Sequence, residues 1–313
     1  MKVLVVGGAG YIGGSTVDSL IGEAGHEVTV YDNLMYEDKY LKPVDFIFGD
    51  IREERLYTDI IHRYDVVVWL AAIVGDGACT VDPELTKEIN YHSVIRLVDS
   101  GYKGKIVFTS TCSVYGINND LIDESAKPNP QSLYAKTKLA AEEYIKFNCP
   151  NALIFRLGTL FGLSDQFSRL RLDLVANILS LKAVNGEPLT VFGGEQWRPL
   201  LHVRDVADAI THGIEGDVMG LYNLVSENFT ILNLAMAIRC ACPVPVDIVE
   251  SDVKTEDLRN YKVKGDKYYA TGWEPEYSLE VGTAELMEVL QQGRIKDTSN
   301  PVYSNHAFHK NNV

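Results

Sequence analysis

Short apolar runs alternate with helical stretches through the first half of the chain. Residues 2–6, 26–31, 45–48, 65–71, 105–109 and 152–157 carry few polar positions, the pattern of strands buried on both faces. Strands separated in this way by helical segments predict an α/β fold with a doubly wound parallel sheet, whose ligand sites lie at the strands' carboxyl ends. Asp50-Ile51, Ala71-Ala72, Ser110-Thr111-Cys112-Ser113 and Gly158-Thr159 fall at those ends. The apolar run 66–74 is bounded by Asp65 and Gly75-Asp76 and is too short to span a bilayer, so it reads as a buried strand. Beyond about Phe161 the pattern loosens, with Gly186-Glu187-Pro188, Gly193-Gly194 and Pro243-Val244-Pro245 as punctuation. The expected organisation is a first domain over 1–160, its sheet extended by segments near 200–225, and a smaller second domain over 161–313. The tail from Thr298 is polar and reads as loose. No internal repeat stands out.

The first strand breaks into Gly7-Gly8-Ala9-Gly10-Tyr11-Ile12-Gly13-Gly14 and then into a helical pattern. Glycines there let the backbone turn tightly and approach a pyrophosphate, whose charge would rest on the N–H groups and positive dipole of the helix start. The second strand ends at Asp32, the expected spacing for an acid that holds the adenosine ribose hydroxyls. A carboxylate at that point repels a 2′-phosphate, which favours NAD over NADP as cofactor.

A second pattern carries chemistry. Tyr134-Ala135-Lys136-Thr137-Lys138 sets a phenol and an ammonium four residues apart, on one face of a helix. A nearby cation favours the phenolate and makes an acid/base of a tyrosine. Alone the spacing favours the plainer reading, a half-buried Tyr beside a solvated Lys; the glycine turn upstream reverses that.

Composition narrows the partners. The formal net charge is −14, which argues against a nucleic acid or an anionic membrane as partner. Cys79, Cys112, Cys149, Cys240 and Cys242 are odd in number and show no metal-type spacing with His, so no metal site is expected and the thiols read as reduced, in a cytoplasm. The apolar run after Met1-Lys2 is shorter than a signal peptide's.

Together these motifs resemble the extended short-chain dehydrogenase/reductases of the nucleotide-sugar epimerase/dehydratase family. The resemblance runs from Gly7-x-x-Gly10-x-x-Gly13 through Thr111-Cys112-Ser113-Val114-Tyr115-Gly116 and Tyr134-x-x-x-Lys138 to Arg198-Pro199-Leu200-Leu201-His202-Val203-Arg204-Asp205. Arg259-Asn260-Tyr261, Thr271-Gly272-Trp273-Glu274-Pro275 and Ser278-Leu279-Glu280 resemble its closing pattern. It implies NAD that stays bound through turnover, a nucleotide-sugar substrate and a homodimer built through a four-helix bundle. By that resemblance Tyr134 takes the proton of a sugar hydroxyl, Lys138 lowers the Tyr134 pKa and holds the nicotinamide ribose, and Thr111 bonds the reacting oxygen. The hydroxyl of Thr111 serves equally as a strand-end cap. For the cofactor the resemblance implies Gly7, Gly10, Tyr11, Ile12 and Gly13 at the glycine turn, and Asp32 and Asn33 after the second strand. Asp50 and Ile51 resemble an adenine-binding pair, Leu70, Ala71 and Ala72 pass the phosphates, and Asn90 supports the loop behind the site.

Substrate contacts are implied for Arg198 and Arg259, since a guanidinium can grip a phosphate with two bonds. The basic stretch Arg169-Leu170-Arg171-Leu172-Asp173 reads either as a sugar or phosphate contact through Arg171 or as a loop-positioning element, Asn177 is a further substrate candidate, and His202 and Asp205 read as structural. Two departures narrow the reaction. Cys112 and Ser113 stand where dehydratases of the family carry an Asp-Glu pair, which disfavours dehydration; Cys112 reads as a small buried hydrophobe. Trp69 stands where many members carry His, with no assigned effect. A C4 epimerase working through a transient 4-keto sugar is the first reading. A 4-dehydrogenase or 4-ketoreductase would use the same three residues, and a non-catalytic NAD-binding protein is the reading from another class.

Overall fold

A computed structural model describes residues 1–22, 25–251 and 259–312. Among these, seven strands form one parallel sheet in the order Gly220–Leu224, Ala152–Leu157, Lys105–Thr111, Val66–Trp69, Lys2–Val6, Glu27–Asp32, Asp45–Phe48. Strand order reverses between Lys2–Val6 and Val66–Trp69, and the divergence of the chain there opens a crevice at the carboxyl ends. Alternate residues feed two cores. Leu4, Val6, Val67, Trp69, Ile106 and Phe108 face one side of the sheet; Val3, Val5, Val66, Val68 and Val107 face the other. Burial on both faces explains why these strands are continuous apolar runs.

Helix Tyr11–Ile21 covers one face and packs on helix Val203–Glu215, while Leu133–Asn148 lies against strand Lys105–Thr111. Smaller units surround the crevice. Thr159–Phe161, Trp197–His202 and Glu227–Thr230 form a three-stranded sheet, and Leu189–Phe192 pairs with Ile248–Ser251 over a core shared with helices Val175–Val184 and Ile231–Ala241. Among the described residues no helix is long and apolar enough to cross a membrane.

Three expectations change. The fourth strand stops at Trp69 rather than running to 71, because Leu70 and Ala71 both donate their N–H groups to the Val6 carbonyl, at 2.8 and 3.0 Å, and bend over the glycine turn. The fifth strand runs on to Thr111, held by pairing through Leu157. The tail is ordered by docking: Pro301–Tyr303 forms a turn and Asn305–Asn312 a helix that packs on helix Asp76–Val81, with Asn305 and His309 buried. Its polar residues are used as bonding groups rather than as solvated surface.

Candidate active site

The crevice is a cleft of about 1050 Å³ at the carboxyl ends of the central strands. Its floor is the glycine turn. Gly7 has φ +83°, and a Cβ there would stand 2.5 Å from the Ala71 nitrogen; a Cβ at Gly13 would stand 2.5 Å from the Gly8 Cα. Both glycines are therefore required by close backbone approach. Gly10 is the N-cap of helix Tyr11–Ile21 and brings no capping side chain, which leaves the first N–H groups of that helix at the cleft. One Asp32 carboxylate oxygen accepts from Ala9 N at 3.0 Å and the other from Leu34 N at 2.8 Å, so the acid fixes the turn while it lines the cleft. Burial pushes the Asp32 carboxyl up, and the N–H groups of Leu34, Ala9 and Asn33 counter that. A dinucleotide pyrophosphate fits this cradle, with Asp32 at its edge.

The reactive wall rises from helix Leu133–Asn148. Ser132 caps its start by accepting from Ala135 N at 3.2 Å, which places Tyr134 in the first turn and Lys138 one turn deeper. Glu142 follows at the same helical spacing. It is buried and forms a bidentate pair with Arg156 at 2.5 and 3.1 Å, while Ser110 Oγ donates to it at 2.6 Å. Arg156 also donates to the Tyr115 hydroxyl at 2.8 Å, which donates to Asn223 at 2.7 Å. The network locks the helix against strands Lys105–Thr111 and Ala152–Leu157 and so fixes the height of Tyr134 and Lys138. Lys138 Nζ lies 4.1 Å from the centre of the Phe108 ring, and burial pushes its ammonium down to about 7. Burial also holds the Tyr134 phenol well above its ordinary value; a hydrogen bond with Thr111 and the charge of Arg171 act the other way. The groups that counter burial at Tyr134 include Thr111 and Arg171, where the Tyr-Lys spacing alone pointed to Lys138. Thr111 serves as the strand-end cap, its Oγ1 accepting from Ser113 N at 3.1 Å.

A second wall is cationic. Arg171, Arg198 and Arg259 all line the cleft. Arg198 Nη1 donates to the Arg259 carbonyl at 2.6 Å, and Arg259 Nη1 donates to Ser113 Oγ at 3.1 Å and lies 3.3 Å from Asp76 Oδ2. Arg171 pairs with Asp173 at 2.6 Å.

Residues 3–224 match the profile of the NAD-dependent epimerase/dehydratase family. The chain belongs to that family. The UDP-glucose 4-epimerase of Halalkalibacterium halodurans is 30% identical over 314 residues, which is 90% of this chain and 92% of that one. The crystal structure of a Thermotoga maritima UDP-glucose 4-epimerase with UDP-glucose superposes with a TM-score of 0.82 at 27% identity, covering 94% of this chain and all of that one. The Thermus thermophilus UDP-glucose 4-epimerase in complex with NAD gives 0.79 at 27% identity, over 92% and 98% of the two chains.

Against this family, the cleft gathers Gly7, Gly10, Tyr11, Ile12, Gly13, Asp32, Asn33, Ile51, Leu70, Ala71, Ala72, Thr111, Tyr134, Lys138, Arg171, Arg198 and Arg259. Three expected residues stand behind its lining. Asp50 accepts from Asn33 and pairs with Arg52; Asn90 accepts from Ile73 N at 2.8 Å and donates to Ile73 O at 2.9 Å; Asn177 accepts from Gly162 N at 2.9 Å and donates to Arg171 O at 2.8 Å. Each holds a segment that does line the cleft. Cys112 is buried, donates to the Arg156 carbonyl and has its thiol pushed up by burial, which fits the reading of a small core residue. His202 and Asp205 are buried in packing and backbone contacts: His202 stacks 4.5 Å from Tyr277, and Asp205 accepts from Glu276 N at 2.8 Å. Trp69 is buried in the core, 6.3 Å from Tyr57. Asp76, Ser132, Arg169, Tyr261, Asn305 and His306 also line the cleft without having been expected as site residues. Arg169 and Tyr261 lay within motif stretches, whereas Asp76 was read only as the end of an apolar run and Asn305 and His306 only as part of a loose tail.

Proposed function

We propose that this protein is an NAD-dependent epimerase that inverts C4 of a nucleotide sugar, with a UDP-sugar as first candidate. The observation that carries the reading is the meeting of Thr111, Tyr134 and Lys138 with a glycine cradle and an arginine wall in one cleft. Residues 1–160 act mainly as the cofactor half and 161–313 mainly as the substrate half.

Gly7, Gly10 and Gly13 approach the pyrophosphate, and Asp32 accepts from the adenosine ribose. NAD held in this cradle would supply the hydride acceptor for oxidation at sugar C4 and the hydride donor for its reduction. Tyr134 accepts the proton of the C4 hydroxyl as C4 becomes a ketone, and gives it back once the 4-keto sugar has turned. Burial favours the neutral phenol, so the site must supply positive potential: Arg171 acts through its charge, and Lys138 is poised to hold or release a proton near neutrality. Thr111 orients the reacting oxygen. Arg198 and Arg259 bind the diphosphate, where a guanidinium geometry suits two oxygens. Cys112 and Ser113 offer no acid/base pair to expel a hydroxyl, which supports epimerisation over dehydration. Exposed Phe147, on the same helix as Tyr134, supports a homodimer packed through that helix, and five free cysteines support a cytoplasmic setting.

The test is to add UDP-, GDP-, CDP- and dTDP-sugars to the purified protein and follow sugar mass, C4 configuration and the absorbance of reduced cofactor. A product of unchanged mass with inverted C4 and oxidised NAD is expected. Loss of two hydrogens with trapped NADH would replace the epimerase by a dehydrogenase, and no conversion across the panel would remove the catalytic reading.

A further inference from the structure

Residues 301–312 lie outside the segment matched by the family profile, yet they reach the cleft through Asn305 and His306. They also join two loops that come from different strands. One loop follows Asp32. There Leu34 is held at φ +53°, Tyr36 bonds His309 Nε2 through its hydroxyl at 2.8 Å, and the Phe308 ring packs 4.6 Å from the Tyr36 ring. The other loop follows Ala72, where Asn305 Nδ2 donates to the Val74 carbonyl at 2.8 Å and His306 packs against Gly77.

Arg169 is the centre of the arrangement. It is buried, its guanidinium lies 3.7 Å over the Tyr36 ring, Nη1 donates to the Val302 carbonyl at 2.6 Å and Nη2 donates to Asn305 Oδ1. Its backbone N–H donates to Glu37 at 2.6 Å, and Asp173 accepts from Asn305 N at 2.8 Å. One segment is therefore tied at once to the loop beside the adenosine ribose acid, to the loop beside the phosphate-facing alanines, and to the arginine stretch of the substrate half.

We propose that residues 301–312 form a clasp that retains NAD, anchored by Arg169. The inference rests on the NAD reading of this cleft. A dinucleotide lying between Asp32 and Ala71-Ala72 leaves most easily if the two loops part, and each bond that bridges them must break for that to happen. The clasp thereby acts on the rate of release, with little effect on the chemistry at Tyr134. Retention is what an epimerase needs, because the same cofactor must take hydride from C4 and give it back within one turnover.

The experiment uses no sugar and reads no activity. Wild type, a chain ended after Asn300, and His309→Phe are loaded with deuterium-labelled NAD and chased with excess unlabelled NAD, and the bound label is followed by mass spectrometry. His309 does not line the cleft, so its replacement acts only through the segment, and circular dichroism with a thermal scan checks that the variant is folded. We expect at least tenfold faster exchange from the shortened chain and about threefold from His309→Phe. If the shortened chain fails to fold, His309→Phe decides alone. Exchange at the wild-type rate in a folded variant would overturn the clasp and leave the NAD reading intact. A wild type that binds no NAD would overturn both.

Discussion

The two walls of the cleft are built on opposite principles. The wall of Tyr134 and Lys138 is rigid: its helix is capped by Ser132 and bolted to the sheet through the buried Glu142–Arg156 pair, and the glycine floor beside it tolerates no side chain at Gly7 or Gly13. The wall of Arg171, Arg198 and Arg259 is made of long side chains whose partners include the Arg259 and Trp197 carbonyls, Asp76, Asp173 and Ser113. Reacting atoms demand fixed geometry, whereas a diphosphate can be gripped by several adjustable donors. Disturbing the first wall should therefore stop chemistry or unfold the protein, and disturbing Arg198 or Arg259 in the second should mainly weaken substrate binding.

The sharpest break is Tyr134→Phe, expected to lower kcat about 10²–10⁴-fold through loss of acid/base catalysis while bound NAD is kept. Turnover at the wild-type rate would take Tyr134 out of the mechanism. Next is Glu142→Gln, which leaves the Arg156 guanidinium buried without a charged partner and should destabilise the fold by about 3 kcal/mol or more. Urea titration measures it, and a midpoint within error of wild type would mean that the helix is held by packing alone. On the cationic wall, Arg259→Ala should raise KM for the nucleotide sugar about tenfold, or ~1.5 kcal/mol, with kcat nearly unchanged. An equal fall in kcat would make that wall part of the chemistry and erase the contrast.

The smallest effect sharpens the comparison from behind the second wall. Burial lowers the His202 imidazole to about 3, below the ordinary 6.5 of an unfolded chain. The unfolded state then binds more protons below pH 6.5, so the folded state is favoured above that value and loses stability as pH falls from 6.5 toward 3. Between pH 7.5 and 6 the loss should be about 1 kcal/mol. A His202→Asn variant should show a flatter melting temperature across that interval. Identical slopes would mean that other groups carry the acid sensitivity.

Much of the fold was legible because burial on both faces of a parallel sheet leaves mostly apolar residues in the middle of its strands. The glycine turn, Asp32, Tyr134 and Lys138 were legible because each answers a local demand: a forbidden Cβ, a strand-end acid, a helical spacing. Strand ends were less so, since the stop at Trp69 depends on two N–H groups turning to the distant Val6 carbonyl. The docking of residues 301–312 was not readable at all. Its bonds join Arg169, Tyr36 and Val74, and a polar stretch that serves as bonding groups has the same composition as one that is solvated. Asp76 escaped for the same reason, as its partner Arg259 lies far along the chain.

The edge strand Gly220–Leu224 closes the large sheet against Ala152–Leu157, although more than fifty residues of the substrate half intervene in the chain. On the ribosome, therefore, strand 152–157 emerges early and presents an open, mostly apolar edge, interrupted at Arg156, until residue 224 has left the exit tunnel. Such an edge invites pairing with a neighbouring nascent chain. The protein should accordingly be most prone to aggregate during synthesis, and slowing translation between codons 160 and 224 should lower its soluble yield more than slowing it anywhere else.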